Sequence, residues 1–555
     1  MDILFAENSE KQYVQLRPET IKDLALNEII ESIAATEKDR PIISSIFTRI
    51  PSDIRDIRFR QSIMRDFLKH DTLTEEVADT LGMIQTLKDY HIGASRVSQG
   101  ENTLYALLES LRELSVYVAV SEQLVNILKK YDIESDGLKS LLSLLENTVG
   151  DEHFEEAKQD IETMLADLST VKGAVIGVNF TADLGIESVA AVEFVSHKLR
   201  SKYTFAEIAA NIGNIMSFSS ASNSVRMNAD TIRVIDPLLV NLTPLMEKEL
   251  KKHFSRIKNF LKKYINPEGT FITEMYEGLT FYTAMARFGK RVKEKGNPIC
   301  FPHLPLSDEK VPAKDTGSAK SHADAPSPSK DGNHVQFSIK DLYNIRLVLA
   351  GEEHIVKNDF AFTPSERLFI LTGPNRGGKT IIEQALGIIS VMASVGGFVT
   401  ASECTGRPFS NILTHFPIDE NLTINYGRLG EEAVRIKEIV KEADERTLIL
   451  FNETYSTTSA GDGLYLSKDL LHVLKEIGAS VIFNTHIHDV ARSVEEMNQW
   501  EGQSRFVSLV MEIRDGVNTF KIKRSDPDTR SYAENIARKY GITYEQMALR
   551  DRACP

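Results

Sequence analysis

The segment LTGPNRGGKT, residues 371–380, contains the spacing G-x-x-x-x-G-K-[ST], with Gly373, Gly378, Lys379 and Thr380 at the defined positions. The apolar run RLFI precedes it, and a helical pattern begins at Thr380. A strand, a glycine-rich turn and a helix N-terminus in this order present backbone N–H groups to phosphate oxygens. The segment therefore predicts a nucleotide site in which Lys379 contacts the β and γ phosphates and Thr380 ligates Mg²⁺. The alternative is a glycine-rich turn that binds nothing.

Length and composition describe an ordinary globular chain with more than one packed core. The 555 residues are 42% hydrophobic and 26% charged, and no apolar run approaches the roughly 20 residues needed to cross a bilayer. The N-terminus lacks the pattern of a secretory signal, so we expect a cytoplasmic protein that makes no membrane contact. Cys300, Cys404 and Cys554 lie far apart, which argues against a disulfide framework and a zinc site. With a net charge of -14, contact with nucleic acid requires a local basic surface.

The periodicity of apolar residues changes along the chain and predicts an α + α/β fold. Residues 1–306 show mainly the spacing of long amphipathic helices, interrupted by a predicted strand pair at 173–195. Residues 307–334 are rich in Pro, Ser, Gly and charge, which predicts a disordered linker or surface loop. In residues 335–555, short apolar runs alternate with helical patterns, as is typical of a mostly parallel sheet.

Two further strands of this second domain end in polar side chains that suit nucleotide chemistry. TLILFNE ends in Asn452 and Glu453, and SVIFNTH ends in His486. The carboxyl edge of a parallel sheet is where ligands bind, so we expect Glu453 to activate or orient a water and Asn452 to hold Mg²⁺ weakly. His486 could contact the γ-phosphate or the attacking water. The alternatives are a solvated strand end for Glu453 and a structural role for His486.

Several motifs resemble the MutS family of DNA mismatch-repair ATPases. GPNRGGKT is similar to that family's phosphate loop, LFNETYSTTSAGDG to its acidic strand end, and FNTHIHDVARSV to its Thr-His segment. The closing segment, residues 515–546, also resembles the family, so the likeness extends from about residue 335 to the end. Residues 1–306 resemble its helical core and lever region, and the strand insertion lies where the family carries its DNA clamp. No segment ahead of this core resembles the family's mismatch-reading domain.

The resemblance implies a set of site residues, with ATP and Mg²⁺ as cofactors. The catalytic residues would be Glu453 and His486, and the metal would be held by Thr380 and Asn452. The sequence departs from the family at Asn452, which replaces an aspartate, at Arg376, which replaces a methionine, and near Gly427 and Arg428, where a serine is missing. The nucleotide contacts implied are Gly373, Pro374, Asn375, Arg376, Gly377, Gly378, Lys379 and Thr380 for the phosphates, with Ile355 and Asn358 for the base.

These features predict an ATP-dependent DNA-binding protein acting in DNA repair or recombination. The resemblance implies a homodimer that clamps double-stranded or branched DNA. The missing mismatch-reading segment predicts little single-mismatch preference, and the departures at Asn452 and near Gly427 predict weak ATP hydrolysis. We expect no nuclease activity, with a downstream repair protein as a further candidate partner. Lys198, Arg200 and Lys202, beside the strand insertion, are the expected DNA contacts. The basic stretch at 251–263 is the other candidate, with a solvated helix face as its alternative. A nucleotide-gated protein-interaction module with little or no hydrolysis is the competing function.

Overall fold

The computed structural model describes most of the chain outside a long central segment. The described residues are 2–98, 104–170, 172–183, 186–197, 255–257, 259–260, 270–305, 336–417, 428–456, 458–514, 517–526, 538 and 540–548. They divide into two compact units, each formed by segments that are not contiguous in sequence. The helical unit takes Met1–Asp2, Glu75–Ile133 and Leu138–Leu279, and the α/β unit takes Ile3–Thr74, Glu134–Gly137 and Thr280–Pro555.

Helices form most of the described chain before residue 170, and strands alternate with helices from residue 337 onward. The elements before residue 198 are β1 (Tyr13–Gln15), α1 (Pro18–Asp23), α2 (Leu26–Ile33), α3 (Arg40–Phe47), β2 (Arg49–Pro51), α4 (Ile54–Lys69), α5 (Asp71–Ser98), α6 (Leu104–Leu128), α7 (Asp136–Val149), α8 (Glu152–Ser169), β3 (Gly173–Phe180) and β4 (Ile186–Val195). Those from residue 270 onward are α9 (Thr270–Glu274), α10 (Tyr276–Glu294), β5 (Phe337–Leu342), α11 (Ile345–Leu349), β6 (Asn358–Phe362), β7 (Glu366–Thr372), α12 (Lys379–Ser394), β8 (Glu403–Gly406), β9 (Asn411–His415), α13 (Arg428–Glu442), β10 (Thr447–Asn452), α14 (Ala460–Ile477), β11 (Ser480–Asn484), α15 (His488–Arg492), α16 (Val494–Met497), β12 (Arg505–Arg514), β13 (Val517–Arg524) and α17 (Tyr544–Ala548).

The α/β unit contains a six-stranded sheet in the order β13-β12-β7-β11-β10-β9. The neighbouring pairs from β12 to β9 are parallel, and β13 runs antiparallel to β12. Every residue of β10 and β11 is buried, as expected for central strands covered by helices on both faces. This architecture confirms the predicted α + α/β fold class. Because carboxyl ends of parallel strands share one edge, the loop after β7 lies beside the ends of β11 and β10.

Residues 3–74 and the chain after residue 279 belong to the α/β unit, which differs from the predicted helical domain of residues 1–306. The Thr20 hydroxyl donates to the backbone oxygen of Ile412 in β9 at 3.2 Å. Leu24 is fully buried and packs against Gly387 of α12. A Cβ added to Gly387 would lie 2.5 Å from Cδ2 of Leu24. Helical periodicity identifies an apolar face but not the surface that it covers. The predicted linker at 307–334 lies outside the described residues.

The helical unit has its own core between long helices. Leu107 and Leu111 of α6 and Phe154 and Ile161 of α8 are buried in one apolar cluster. After α8, strands β3 and β4 form an antiparallel pair whose register runs from Gly173 opposite Val195 to Phe180 opposite Ile186. The strand pair thus occupies the 173–195 segment in which the turn signals place it. In the part of the chain described, no helix is both long and apolar enough to span a membrane.

Candidate nucleotide site

The loop between β7 and α12 has backbone conformations that glycine adopts most easily. Gly373 has φ 143° and Gly378 has φ 94°, and Gly378 is the N-cap of α12. A Cβ on Gly373 would lie 2.9 Å from the Cβ atom of Met511, so a side chain there would collide with β12. Arg376, at φ 62°, takes a left-handed conformation without being a glycine. The loop therefore brings the chain tightly from the sheet to the N-terminus of α12, where backbone N–H groups lack helical partners.

Lys379, the first residue of α12, lies beneath this loop and is only 6% exposed. Its Nζ donates to the backbone oxygens of Gly373 at 3.0 Å and Pro374 at 3.2 Å. Burial lowers the pKa of Lys379, and the nearby carboxyl groups of Glu453 and Glu383 oppose that shift. A buried ammonium held by carbonyl oxygens is placed to exchange these neutral acceptors for the phosphate oxygens of a nucleotide.

The ends of β10 and β11 lie side by side with Asn452 opposite Asn484. The Thr380 hydroxyl donates to Oδ1 of Asn452 at 3.5 Å, and Nδ2 of Asn484 donates to the same oxygen at 2.7 Å. Hydroxyl and amide oxygens are ligands that suit Mg²⁺, which usually takes few protein ligands and completes its shell with water and phosphate. This oxygen donor set fits Mg²⁺. Within the described ranges, no group of three or more His, Cys, Asp or Glu side chains could hold a metal by itself.

Glu453 and His486 come together across these two strand ends. His486 Nε2 lies 2.8 Å from Oε1 of Glu453, and the His486 and Glu453 side chains are 33% and 36% exposed, respectively. The Glu453 backbone N–H donates to the Asn484 oxygen at 2.8 Å, which continues the pairing beyond the strands. Glu453 has φ 54° and Tyr455 has φ 59°, both uncommon for residues with side chains. Such conformations cluster at functional sites, where the surrounding contacts hold them.

A mostly apolar cleft lies beside the loop and could hold a nucleobase. Its lining includes Leu347 of α11, Val356, Gly378 and Phe520 of β13. Asn358 also lines it, but the Asn358 amide is committed to β13: Nδ2 donates to the Phe520 oxygen at 3.0 Å and Oδ1 accepts from the Ile522 N–H at 2.9 Å.

The structure thus brings Asn358 to the cleft wall as a group that fixes β13. Among the described lining residues, His354 and Val356 are present and Ile355 between them is not.

Three residues of this region were not identified in the sequence. Phe520 lies on a strand that follows the site by more than a hundred residues, so only the sheet order brings it near Gly378. Glu383 is fully buried in α12 and accepts from Nδ2 of Asn484 at 3.1 Å. The sequence signal for Glu383 is an acid inside the otherwise apolar helix segment IIEQALGII. Asn484 offers no comparable signal.

The predicted DNA contacts Lys198, Arg200 and Lys202 lie outside the described residues, as does Gly427. Arg428 is the first residue of α13.

Comparisons with known proteins cover both units. The family model for MutS domain V matches residues 369–548, and the model for the MutS2 N-terminal domain matches residues 52–295. Among curated proteins, the DNA mismatch repair protein MutS of Bacillus cereus (strain B4264) is 31% identical over 209 residues, which is 38% of this chain and 22% of that protein.

Two further relatives give the same coverage. The proteins of the same name from Bacillus mycoides (strain KBAB4) and Bacillus thuringiensis (strain Al Hakam) are 31% and 30% identical over 209 residues. The matched region spans 22% of the length of each of these relatives. With one family model on the helical part, another on the sheet, and the loop of Gly373 to Thr380 between β7 and α12, the chain belongs to the MutS family.

Proposed function

We propose that this chain is an ATP-dependent DNA-binding protein of the MutS type that acts in DNA repair or recombination. The main support for nucleotide binding and hydrolysis is the contact between Glu453 and His486. It lies at the sheet edge where Lys379 and Thr380 begin α12. A phosphate loop, a hydroxyl beside an amide oxygen, and a carboxylate in contact with an imidazole are the groups that bind and hydrolyse a nucleoside triphosphate.

Each group has a distinct role in this proposal. Backbone N–H groups of the loop and the Lys379 ammonium bind the phosphates, and Thr380 and Asn452 hold Mg²⁺, which neutralises phosphate charge when bound. Glu453 accepts a proton from the attacking water or orients it, and His486 fixes the carboxylate through its 2.8 Å contact. The base occupies the cleft between α11 and Phe520.

Hydrolysis should be slow compared with binding. Asn452 is neutral, so it stabilises Mg²⁺ less than a carboxylate at the same strand end would. The competing function, a nucleotide-gated module that holds a protein partner, is favoured by this same substitution. The two functions differ in their response to salt, because phosphate contacts release counterions and DNA affinity then falls steeply with salt concentration.

The DNA-binding part of the proposal is a clamp that senses shape and backbone charge. Selecting a single mismatch requires an apolar wedge inserted between base steps. Among the described side chains between residues 75 and 197, Leu165, at 39%, is the most exposed large apolar side chain. One partly exposed leucine is a poor wedge, which supports little preference for a mismatch over matched duplex.

A homodimer is part of the proposal because the resemblance implies nucleotide sites completed by a second subunit. The described residues near the C-terminus are strongly exposed and partly apolar: Tyr544 is 84% and Met547 52% exposed. Exposed apolar side chains of this kind suit burial against a second copy. Sedimentation at working concentrations should show a dimer.

The decisive experiment is a gel-shift panel with homoduplex, G·T mismatch, junction and single-stranded DNA, each with and without ATP. The proposal expects ATP-dependent, salt-sensitive binding in which mismatch and homoduplex affinities differ by less than tenfold, about 1.4 kcal/mol. DNA binding that is absent at low salt, together with intact ATP binding, would favour the protein-interaction module instead.

A further inference from the structure

Glu383 is a buried acid with an unsatisfied oxygen next to the candidate metal site. The side chain is 0% exposed, its Oε2 accepts from Nδ2 of Asn484 at 3.1 Å, and its Oε1 is buried without a hydrogen-bond partner in the structure. A buried carboxyl group is costly unless a cation or enough donors compensate it. A single hydrogen bond from an amide leaves this group undercompensated.

The Asn484 amide connects Glu383 to the proposed metal ligands. Its Nδ2 donates both to Glu383 and, at 2.7 Å, to Oδ1 of Asn452, which also accepts from the Thr380 hydroxyl at 3.5 Å. Thr380 and Glu383 are three residues apart on α12, so they lie on the same face of the helix, with Cβ atoms about 5–6 Å apart. The buried carboxyl is therefore one helical turn below the hydroxyl that would ligate Mg²⁺.

The charged groups around Glu383 are more negative than positive, which favours a further cation. Lys379 is the nearby positive group and lowers the pKa of Glu383, while Asp23 and Glu453 are nearby acids that raise it. Burial, the largest cause, holds that pKa well above its usual value, so the ionised form of Glu383 is favoured only when a cation binds nearby. Lys379 also lies near Glu453 and donates to the loop carbonyls, so it compensates Glu383 only in part.

We propose that Glu383 supplies, through Asn484, the negative charge for Mg²⁺ that the neutral Asn452 does not provide. Glu383 is a positioning residue in this scheme: it orients the Asn484 amide, which fixes Oδ1 of Asn452, and its charge favours a divalent cation at Thr380. In this scheme the carboxylate that supports Mg²⁺ lies in the first turns of α12 and not at the end of β10. This inference rests on the proposed nucleotide function.

The test measures how the affinity for a fluorescent ADP analogue depends on Mg²⁺ concentration, so it needs no hydrolysis. Glu383→Gln keeps the shape and one acceptor of the side chain but removes its charge. We expect its affinity in EDTA to equal that of the wild type, while the Mg²⁺ concentration for half-maximal stimulation rises about 10- to 100-fold, the usual loss when a group supporting a metal ligand is removed. An unchanged Mg²⁺ midpoint would overturn the inference.

A charge transposition makes the test specific. The double variant Asn452→Asp/Glu383→Gln returns a carboxylate to the strand end, and we expect it to recover most of the lost Mg²⁺ dependence. A double variant no better than Glu383→Gln alone would contradict a charge role. Asp56→Asn is the matched control, since Asp56 is equally buried but accepts from the Ala6 N–H at 2.8 Å and the Ser9 hydroxyl at 2.7 Å, away from the loop.

Folding and the underlying function are checked separately. If Glu383→Gln folds poorly, Glu383→Met tests the same loss of charge with an apolar side chain of similar length. Apolar replacement of a buried charge is often neutral for stability. It should also raise the Mg²⁺ midpoint, and an unchanged midpoint would again refute the inference. Wild-type protein that binds no nucleotide overturns the proposed function itself, whereas Mg²⁺-dependent wild-type binding with unaltered Glu383 variants overturns only the role of Glu383.

Discussion

His486 Nε2 lies 2.8 Å from Oε1 of Glu453, which joins the ends of two neighbouring parallel strands, β11 and β10. The two residues are 33 positions apart in the chain, and the register that places Asn452 opposite Asn484 brings them together. A carboxylate held in this way can accept a proton from water without first losing side-chain freedom.

Glu453→Gln should keep nucleotide binding and slow turnover. The amide preserves the shape and the contact to His486 but cannot accept a proton, and loss of a general base typically costs about 10²- to 10⁴-fold. Single-turnover ATP hydrolysis and ADP affinity, measured on the same protein, separate the two effects. Glu445→Gln, in the loop before β10, is the control. Wild-type turnover in Glu453→Gln would remove this residue from the chemistry.

Lys379→Ala should abolish most ATP binding because it deletes the ammonium that lies under the loop. Lys475→Ala is a matched control: Lys475 of α14 is also buried and donates to two backbone oxygens, those of Met497 and Trp500. A nucleotide titration should show lost affinity for Lys379→Ala and retained affinity for Lys475→Ala. Equal affinity of Lys379→Ala and wild type would contradict the site assignment.

Asn452→Asp, by itself, should tighten the Mg²⁺ dependence of nucleotide binding and leave hydrolysis unchanged or faster. A carboxylate at this strand end is the better ligand for a hard cation. The Thr380 hydroxyl lies 3.5 Å from Oδ1 of Asn452, the atom whose charge the substitution changes. ADP titrations at varied Mg²⁺ measure the first quantity, and steady-state ATPase rates measure the second. A large loss of activity would indicate that the neutral amide has a role of its own, for instance in holding Asn484.

Phe520→Ala should weaken nucleotide binding with little loss of stability. Phe520 lines the cleft next to Gly378 and is 44% exposed, so it contributes contact area to a ligand more than to the core. Stacking of a base on an aromatic ring is worth about 1–3 kcal/mol. Val517→Ala, on the same strand and 67% exposed, is the control. Unchanged ADP affinity in Phe520→Ala would place the base elsewhere.

His415 should make the α/β unit sensitive to acid. Burial, helped by the charge of Arg435, lowers the pKa of His415 to about 3. An unfolded histidine binds its proton near pH 6.5, so the folded state loses stability as pH falls from about 6.5 toward 3, and no such loss occurs above 6.5. At pH 5 this amounts to about 2 kcal/mol.

The comparison for this prediction is wild type against His415→Gln, in urea at pH 7.5 and pH 5. The fluorescence of the single tryptophan, Trp500, reports on this unit. The wild-type unfolding midpoint should fall more between the two pH values than that of His415→Gln. His472→Gln, whose imidazole is 46% exposed, should fall as the wild type does. Equal pH dependence of wild type and His415→Gln would refute the assignment.

The sequence by itself determined the local parts of this protein. The spacing from Gly373 to Thr380 specified a strand, a loop and a helix. Gly373 at φ 143° and Gly378 at φ 94° adopt backbone conformations that other residues rarely adopt. The continuous apolar runs TLILF and SVIF specified buried parallel strands, and the polar residues that follow them marked the sheet edge.

Only the tertiary structure decided what depends on distant packing. The boundary between the two units follows contacts such as that of Thr20 with Ile412, which helical periodicity cannot specify. Phe520 reaches the cleft beside the loop through strand order, and Glu383 of α12 reaches Asn484, which the register of β10 with β11 places opposite Asn452. A periodic pattern states which residues are buried, whereas their partners depend on how separate elements meet in three dimensions.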